Sequence, residues 1–404
     1  MNYRIVFVLL LLTFSLKVSA DQFVDRFAEL QNAGVLLVDI HGKTVVSAHA
    51  QTSFIPASTT KLVTAWLALN HWGEDHHFKT DFYLDDSTNT LWIKGSGDPF
   101  LVSEELLIIA KNLKDKGLRQ IDRIGLDGSL FQNNLNVPGA STTTNPYDAK
   151  PTAIAVNFNT IAVRKQAGRI VSAESQTPLT AFAEKLARKQ ALSKRIVRIN
   201  TGLSSQDAER YFAELLADFL RQQGIVVGQQ IVRGSVPDKD PYYTHINSKS
   251  LTDVVRPMLK YSTNFIANQL ILVLSAEHYQ RPANFSDVER YMVKCLQNEF
   301  NWQTIVLKEG AGLARDNKIS PVQLVELLES FRQWKQLLPE VAPSIYAKSG
   351  TLKNVSTLAG YAVDNKQQWH AFSLMMQQSV SHKRRNQIAS ELGVLLNNQD
   401  IIKP

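Results

Sequence analysis

The segment FIPASTTKLVTAWLALN, residues 54–70, places the hydroxyl of Ser58 three residues before the amine of Lys61, and an apolar run follows at once. Residues three apart share one face of a helix, so this spacing brings the amine beside the hydroxyl. A serine becomes an effective nucleophile only when a neighbouring base takes its proton, and a neutral lysine amine is such a base. The pair therefore predicts a nucleophilic serine at a helix N-terminus, whose positive end favours developing negative charge.

Taken alone, Ser-x-x-Lys is more typical of a helix cap followed by a solvated lysine. Two further segments favour chemistry. KYSTNFIANQL has Ser262 and Asn264 at the start of an apolar helix, and YAKSGTL has Lys348 at the start of a strand, followed by a serine, a glycine and a threonine. A second Ser-x-Asn, at 87–89, lies in the polar segment DDSTNT between two predicted strands, and we interpret it as a turn.

The order Ser-x-x-Lys, Ser-x-Asn, Lys-[Ser/Thr]-Gly is the three-motif signature of penicillin-binding proteins and serine β-lactamases. Over nearly all of its length after residue 20, the sequence resembles the D-alanyl-D-alanine carboxypeptidases of the class C low-molecular-mass penicillin-binding proteins, peptidase family S13. IKGSGDPFL, YDAKPTAIAVNFN and EGAGLARDNKIS extend the resemblance and are more specific than the three short motifs. Ser349 stands where threonine is common, a change that preserves the hydroxyl.

The resemblance implies a role for each motif residue. Ser58 attacks the carbonyl between two D-alanines, Lys61 takes its proton, and Ser262 relays that proton to the leaving amine. Asn264 holds Lys61 and the substrate amide, while Lys348 orients Ser262 and attracts the terminal carboxylate. The backbone N–H groups of Ser58 and the threonine of the third motif form the oxyanion hole. The implied substrate-binding residues are Ser349, Gly350, Thr351 and Arg315.

Two other groups of residues allow more than one interpretation. Arg315, in GLARDN, either anchors its loop by hydrogen bonds or faces the cleft and meets a substrate carboxylate. HWGEDHH, residues 71–77, contains three histidines and a glutamate. It lacks the helical His-Glu-x-x-His pattern of a metal site, so we interpret it as a solvated loop. We expect no metal and no cofactor.

The elements that position the motifs follow from hydrophobic periodicity. The pattern predicts two strands around a turn at His41 and Gly42, then a helix from Ser58 to about Trp72. Strands and helices alternate up to about residue 241, helices dominate from about residue 250, and strands from residue 342 precede a last helix at 386–396. The region 80–241 separates the first motif from the elements that should complete its core.

The resemblance implies a mixed α and β fold. The β-lactamase/transpeptidase-like domain, an antiparallel sheet sandwiched by helices, has two parts, 21–79 and 242–404. An α/β domain, 80–241, is inserted between them. This insert is short for the family, so we expect the small third domain of longer members to be absent or reduced.

The N-terminal segment MNYRIVFVLLLLTFSLKVSA has a basic start, an apolar run and small residues before Ala20, the layout of a secretory signal at 1–20 that is cleaved after Ala20. A membrane anchor is the alternative, but the apolar run is short and Lys17 interrupts it. The single cysteine, Cys295, cannot form an internal disulfide, which suits a bacterial envelope. We expect a periplasmic protein with at most peripheral membrane contact.

The net charge of +7 favours an anionic polymer such as cell wall, and the absence of a basic stripe with interleaved aromatics gives no support to nucleic-acid binding. The expected partners are peptidoglycan stem peptides, with β-lactam antibiotics as covalent inhibitors. The favoured function is a serine-type D-alanyl-D-alanine carboxypeptidase, with endopeptidase action on D-alanyl crosslinks left open.

Two other functions remain as alternatives. A serine β-lactamase uses the same motifs but needs a dedicated base for rapid deacylation, and the gap between the first two motifs exceeds that of single-domain β-lactamases. A non-catalytic wall-binding protein would not need the complete set of motif residues that this chain retains.

Overall fold

The computed structural model describes residues 20–28, 30, 32–201 and 204–399. The signal sequence predicted for residues 1–20 lies outside this part of the chain, apart from Ala20, and its cleavage stays a prediction. Among the described residues, none of the helices combines the length and hydropathy needed to cross a membrane.

Ten helices and fourteen strands make up the described structure. The helices are α1 (Ala20–Ala28), α2 (Thr60–Trp72), α3 (Ser103–Asp115), α4 (Ala181–Arg188), α5 (Ser205–Gln222), α6 (Leu251–Tyr261), α7 (Asn264–Tyr279), α8 (Phe285–Phe300), α9 (Pro321–Ser330) and α10 (His382–Gln399). The strands are β1 (Ala33–Val38), β2 (Thr44–Ala48), β3 (His77–Asp85), β4 (Thr90–Lys94), β5 (Gln120–Asp127), β6 (Thr160–Gln166), β7 (Arg169–Ser172), β8 (Val197–Asn200), β9 (Val226–Arg233), β10 (Tyr243–Ser250), β11 (Glu340–Ala342), β12 (Ile345–Leu352), β13 (Val355–Val363) and β14 (Trp369–Met376).

An antiparallel six-stranded sheet, in the order β11-β12-β13-β14-β1-β2, forms the middle layer of the larger domain. Successive side chains of a strand point to opposite faces. In β1, Val35 and Leu37 accordingly pack with α1 and α10, whereas Leu36 and Val38 pack with α2 and α6–α9. Helices cover both faces of this sheet, which confirms the predicted sandwich.

The helix that carries Lys61 is apolar almost all round. Ten consecutive residues of α2, Thr60 to Leu69, are buried, as expected for a helix enclosed by other elements rather than lying at the surface. The α-helix itself begins at Thr60, because Ser58 lies in a preceding 3₁₀ turn, Ala57–Thr59. This turn places Ser58 at the rim of the core and Lys61 inside it.

The second sheet has five strands in the order β10-β3-β4-β5-β9. One half of it, β10-β3-β4, is antiparallel, and β4-β5-β9 is parallel. The helices α3, α4 and α5 and a three-stranded sheet, β7-β6-β8, share one apolar core with it. The larger part of the predicted insert therefore has its own hydrophobic core.

The limits of this sheet differ from the predicted insert, 80–241. The sheet begins at His77 and ends at Ser250, because β10 pairs with β3. Pairing between strands so far apart in the sequence leaves no local signal. The predicted limits, residues 80 and 241, therefore fall inside β3 and just before β10.

Candidate active site

Ser58 lies in a tight turn that glycines of two other segments approach closely. A Cβ atom at Gly312 would lie 1.8 Å from the carbonyl oxygen of Ala57, and one at Gly350 would lie 2.8 Å from the backbone nitrogen of Ser58. Both glycines are required by this close approach of backbone to backbone. Ala57 itself has a φ of +47°, in the left-handed region that non-glycine residues rarely adopt. The Ser58 backbone is thus held from two sides.

Lys61 connects the first motif to the second. Its side chain is fully buried, at 0% exposure. The Nζ atom donates hydrogen bonds to Ser58 Oγ at 3.1 Å, to Asn264 Oδ1 at 2.8 Å and to the carbonyl oxygen of Ala311 at 2.7 Å. Three oxygens thus lie within hydrogen-bond distance of the nitrogen, so the amine has one defined position beside the serine.

The surroundings of Lys61 lower its pKa well below that of a free lysine. Burial is the largest cause, since it disfavours the charged form, and the positive charge of Lys348 adds to it. The negative charge of Glu309 acts in the opposite direction. The result is a lysine that releases its proton far more readily than a solvated one and is therefore able to accept the proton of Ser58.

Glu309 is a functional residue that the sequence reasoning did not single out, although EGAGLARDNKIS was one of the segments of resemblance. It is fully buried. Its carboxylate accepts hydrogen bonds from the backbone N–H groups of Ala311, Gly312 and Leu313 at 2.8, 2.7 and 2.7 Å. These bonds fix the loop that offers the Ala311 carbonyl to Lys61 and packs Gly312 against the turn of Ser58.

The second motif occupies the junction between two helices. Ser262 ends α6 with a φ of 58° and a ψ of 41°, and Asn264 begins α7. A non-glycine residue in this left-handed region is uncommon and is frequent at functional sites. The junction turns the side chain of Asn264 towards Lys61, while its Nδ2 donates to the carbonyl oxygen of Tyr147 at 3.2 Å.

The third motif lies on β12, beside the turn of Ser58. Lys348 is almost fully buried, at 1% exposure, and its Nζ donates to the carbonyl oxygen of Ser349 at 2.7 Å. Burial, together with the positive charge of Arg385, lowers the pKa of Lys348 to about 7. Lys348 and Gly350 share one face of the strand, so the charge of Lys348 lies on the side where Gly350 meets the Ser58 turn.

Arg315 anchors its loop by a hydrogen bond, which is one of the two interpretations that the sequence left open. Its Nη1 donates to the carbonyl oxygen of Lys353 at 3.0 Å, and the side chain is exposed. This bond ties the Glu309 loop to the turn between β12 and β13. Contact between Arg315 and a substrate stays a prediction.

The histidine segment engages separate partners. His71 meets Glu277 at 3.1 Å, Glu74 accepts from Trp334 at 3.0 Å, and His77 meets the Asn247 carbonyl at 2.7 Å. His71 and Trp72 belong to α2 and His77 begins β3, so the loop covers only residues 73–76 of the predicted 71–77. Within the described residues, none of the clusters of three or more histidine, cysteine or acidic side chains is arranged to hold a metal ion.

The site as a whole brings together the Ser58 hydroxyl, the buried Lys61 amine with its lowered pKa and Asn264, and the charge of Lys348 acts on Lys61. The sequence model of the D-Ala-D-Ala carboxypeptidase 3 (S13) family matches residues 18–343 and 337–399. The chain belongs to this family.

Individual S13 relatives are distant in sequence. The D-alanyl-D-alanine carboxypeptidase DacB of Haemophilus influenzae is 23% identical over 90% of this chain and 90% of its own. The D-alanyl-D-alanine carboxypeptidase of Actinomadura sp. is 23% identical over 81% of this chain and 74% of its own.

Solved structures of another protein have the same fold as this chain. Penicillin-binding protein 4 of H. influenzae superposes with a TM-score of 0.75 and 21% identity, over 92% of this chain and 99% of that one. The same protein has been solved in complex with a novel β-lactam, with a TM-score of 0.70 over the same shares of the two chains and at the same identity.

Glu309→Gln should damage both stability and the site. The amide nitrogen of glutamine is a donor, and it would face backbone N–H groups that now donate to a carboxylate. Leaving buried donors without an acceptor costs about 1–3 kcal/mol each. We expect a lower free energy of unfolding in urea and slower acylation by a fluorescent penicillin. Glu299→Gln, at an exposed position on α8, is the control; normal acylation in Glu309→Gln would contradict this role of the loop.

Proposed function

We propose that this S13 chain is a serine-type D-alanyl-D-alanine carboxypeptidase that acts on peptidoglycan stem peptides through an acyl-enzyme on Ser58. The observation that carries the proposal is the buried amine of Lys61, 3.1 Å from Ser58 Oγ and 2.8 Å from Asn264 Oδ1, with its pKa lowered. Membership of the family and the names of the two carboxypeptidase relatives support the substrate class.

In the first step, neutral Lys61 takes the proton of Ser58 Oγ as the oxygen attacks the carbonyl carbon of the penultimate D-alanine. The tetrahedral oxyanion accepts hydrogen bonds from the backbone N–H groups of Ser58 and Thr351, each worth about 3 kcal/mol to the transition state. The C–N bond then breaks. Ser262 passes its proton to the leaving nitrogen and takes the proton held by Lys61, which becomes neutral again; D-alanine departs, and the peptide remains as an ester on Ser58.

In the second step, water attacks the ester carbonyl, the shortened peptide leaves, and Ser58 regains its proton. A β-lactam undergoes the same first attack, but the broken amide stays tethered within the opened ring, so the leaving group remains in the site. Covalent inhibition by β-lactams follows. The relative solved with a β-lactam supports this part of the proposal.

Glu309 bears on the β-lactamase alternative. A β-lactamase needs a base that activates the deacylating water. Glu309 is the carboxylate that acts on Lys61, but its oxygens accept four backbone hydrogen bonds within its own loop and a fifth from Asn317 Nδ2. These hydrogen bonds engage both oxygens of the buried carboxylate, so Glu309 is poorly placed to hold and activate a water. The arrangement favours a peptidase that β-lactams inhibit.

We also propose that the protein acts in the periplasm. The layout of residues 1–20 supports export, and peptidoglycan lies outside the cytoplasmic membrane. The single cysteine, Cys295, agrees with an exported bacterial protein that relies on its core rather than on disulfides.

Purified enzyme incubated with a wall fragment that carries both free D-Ala-D-Ala ends and D-alanyl crosslinks tests the function directly. We expect mass spectrometry to detect release of D-alanine from the free ends, and separated strands will reveal any additional endopeptidase activity. Fragments that remain intact would contradict the proposed function.

Lys61 variants connect that activity to the site. Lys61→Ala should slow D-alanine release by orders of magnitude, and Lys61→Arg should not restore it, because arginine stays protonated and cannot accept the serine proton. Lys111, an exposed lysine on α3, provides the matched controls Lys111→Ala and Lys111→Arg. Near-normal turnover by folded Lys61→Arg would mean that another group is the base.

The pH profile of kcat/KM should be bell-shaped. Lys61 must be neutral to act as a base, so activity rises as the pH increases through its lowered pKa. Lys348 must be charged to attract a carboxylate, so activity falls as the pH rises through about 7, its pKa in the free enzyme. Lys348→Gln should reduce activity and abolish the alkaline limb. An unchanged alkaline limb in this variant would assign that limb to a different group.

A further inference from the structure

Arg385, on α10, is a buried arginine that the sequence reasoning did not connect with the site. Its exposure is 4%. The Nη1 atom lies 3.4 Å from Thr351 Oγ1 and the Nε atom 3.4 Å from Asn386 Oδ1. Within the described residues its side chain has no carboxylate within salt-bridge distance. A charge kept from water in this way is costly unless it is paired.

Lys348, in the third motif, is a second buried basic side chain that has no carboxylate partner among the described residues. It is buried at 1% exposure, and in the described part of the chain its amine donates only to the Ser349 carbonyl. The positive charge of Arg385 disfavours the charged form of Lys348. Two buried cations are therefore close enough to repel each other, and the protein supplies neither of them with a counter-ion among the described residues.

The neighbouring arginine provides a contrast. Arg384 is exposed and pairs with Glu391 at 3.6 Å. The segment SHKRRNQ thus presents one solvated, paired arginine and one buried, unpaired arginine in succession. His382, from the same turn of α10, is exposed and lies 3.4 Å from Thr351 Oγ1. Arg385 brings positive charge towards Thr351 from the helix, and Lys348 does so from the strand.

The distance from Ser58 indicates which anion would pair with these cations. Gly350 packs directly against the Ser58 backbone nitrogen, and Thr351 follows it on β12. In a D-alanyl-D-alanine terminus, the free carboxylate follows the scissile carbonyl by one residue, about 3.5 Å. One residue of a strand covers about 3.3 Å. A substrate whose carbonyl lies at Ser58 would therefore place its carboxylate beside Thr351.

We propose that Arg385 binds the terminal carboxylate of the substrate together with Lys348 and Thr351, so that the last helix takes part in recognising a free peptide end. This inference rests on the proposed function of the site. The planar guanidinium offers a carboxylate two parallel N–H donors. Such charge-assisted hydrogen bonds are stronger than those between neutral groups. The carboxylate would at the same time neutralise the repulsion between the two cations.

The test compares two forms of one substrate, a diacetyl-L-lysyl-D-alanyl-D-alanine peptide with a free terminus and its C-terminal amide. Arg385→Gln should lower kcat/KM for the free acid about ten- to a hundredfold and change that for the amide by much less. Arg385→Lys keeps the positive charge but loses the two parallel N–H donors of the guanidinium. It should retain part of the preference for the free acid over the amide. Arg384→Gln, the matched control, should keep the wild-type ratio.

The ratio of the two substrates separates recognition from folding, because a loss of folded enzyme lowers both rates equally. An unchanged ratio in Arg385→Gln, whether both rates fall or neither does, would overturn the inference and leave the proposed function intact. If the wild type releases no D-alanine, the proposed function fails. Arg385 is then tested by the acylation rates of benzylpenicillin and its methyl ester: loss of the preference for the free carboxylate supports the inference, and an unchanged preference overturns it.

Discussion

The buried amine of Lys61 is the interaction on which the rest of the site depends. An amine removed from water is tolerated only where protein atoms replace its hydration. Ser58, Asn264 and Ala311 provide that replacement from three separate elements. Because the amine must meet all three acceptors, the turn before α2, the start of α7 and the Glu309 loop have to converge within about one hydrogen-bond length of one atom. The lowered pKa of Lys61 is a consequence of the same burial.

Residues between β5 and β6 contribute to this convergence. The segment 147–158 reaches α7, where Asn264 donates to the Tyr147 carbonyl and the buried Gln269 donates to the Thr152 carbonyl at 2.6 Å. Phe158 packs edge-on against Phe265, with ring centroids 6.3 Å apart. The start of α7, which carries Asn264, is thus supported by a segment that lies between the first two motifs in the sequence.

The elements marked by an apolar pattern or a short motif in their own residues were predictable from the sequence. The apolar pattern around Lys61 predicted α2, and the two short apolar runs on either side of His41 and Gly42 predicted β1 and β2. The first two motifs predicted that Ser58, Lys61 and Asn264 meet. Glu309 and Arg385 were not found, because their roles come from backbone N–H groups and from a helix far away in the sequence. The last helix also begins earlier than predicted, at His382, and Arg385 lies within that additional turn. The pairing of β10 with β3 had no local signal at all.

The most direct test of the account is to locate the covalent bond. Wild-type protein, Ser58→Ala and Ser87→Ala are incubated with a fluorescent penicillin, digested and mapped by mass spectrometry. Ser87 belongs to the second Ser-x-Asn and lies in a turn of exposed residues. We predict one adduct on the peptide that contains Ser58, normal labelling of Ser87→Ala, and no labelling of a folded Ser58→Ala. An adduct on another residue, or one that persists in Ser58→Ala, would contradict the assignment of the nucleophile and of Lys61 as its base.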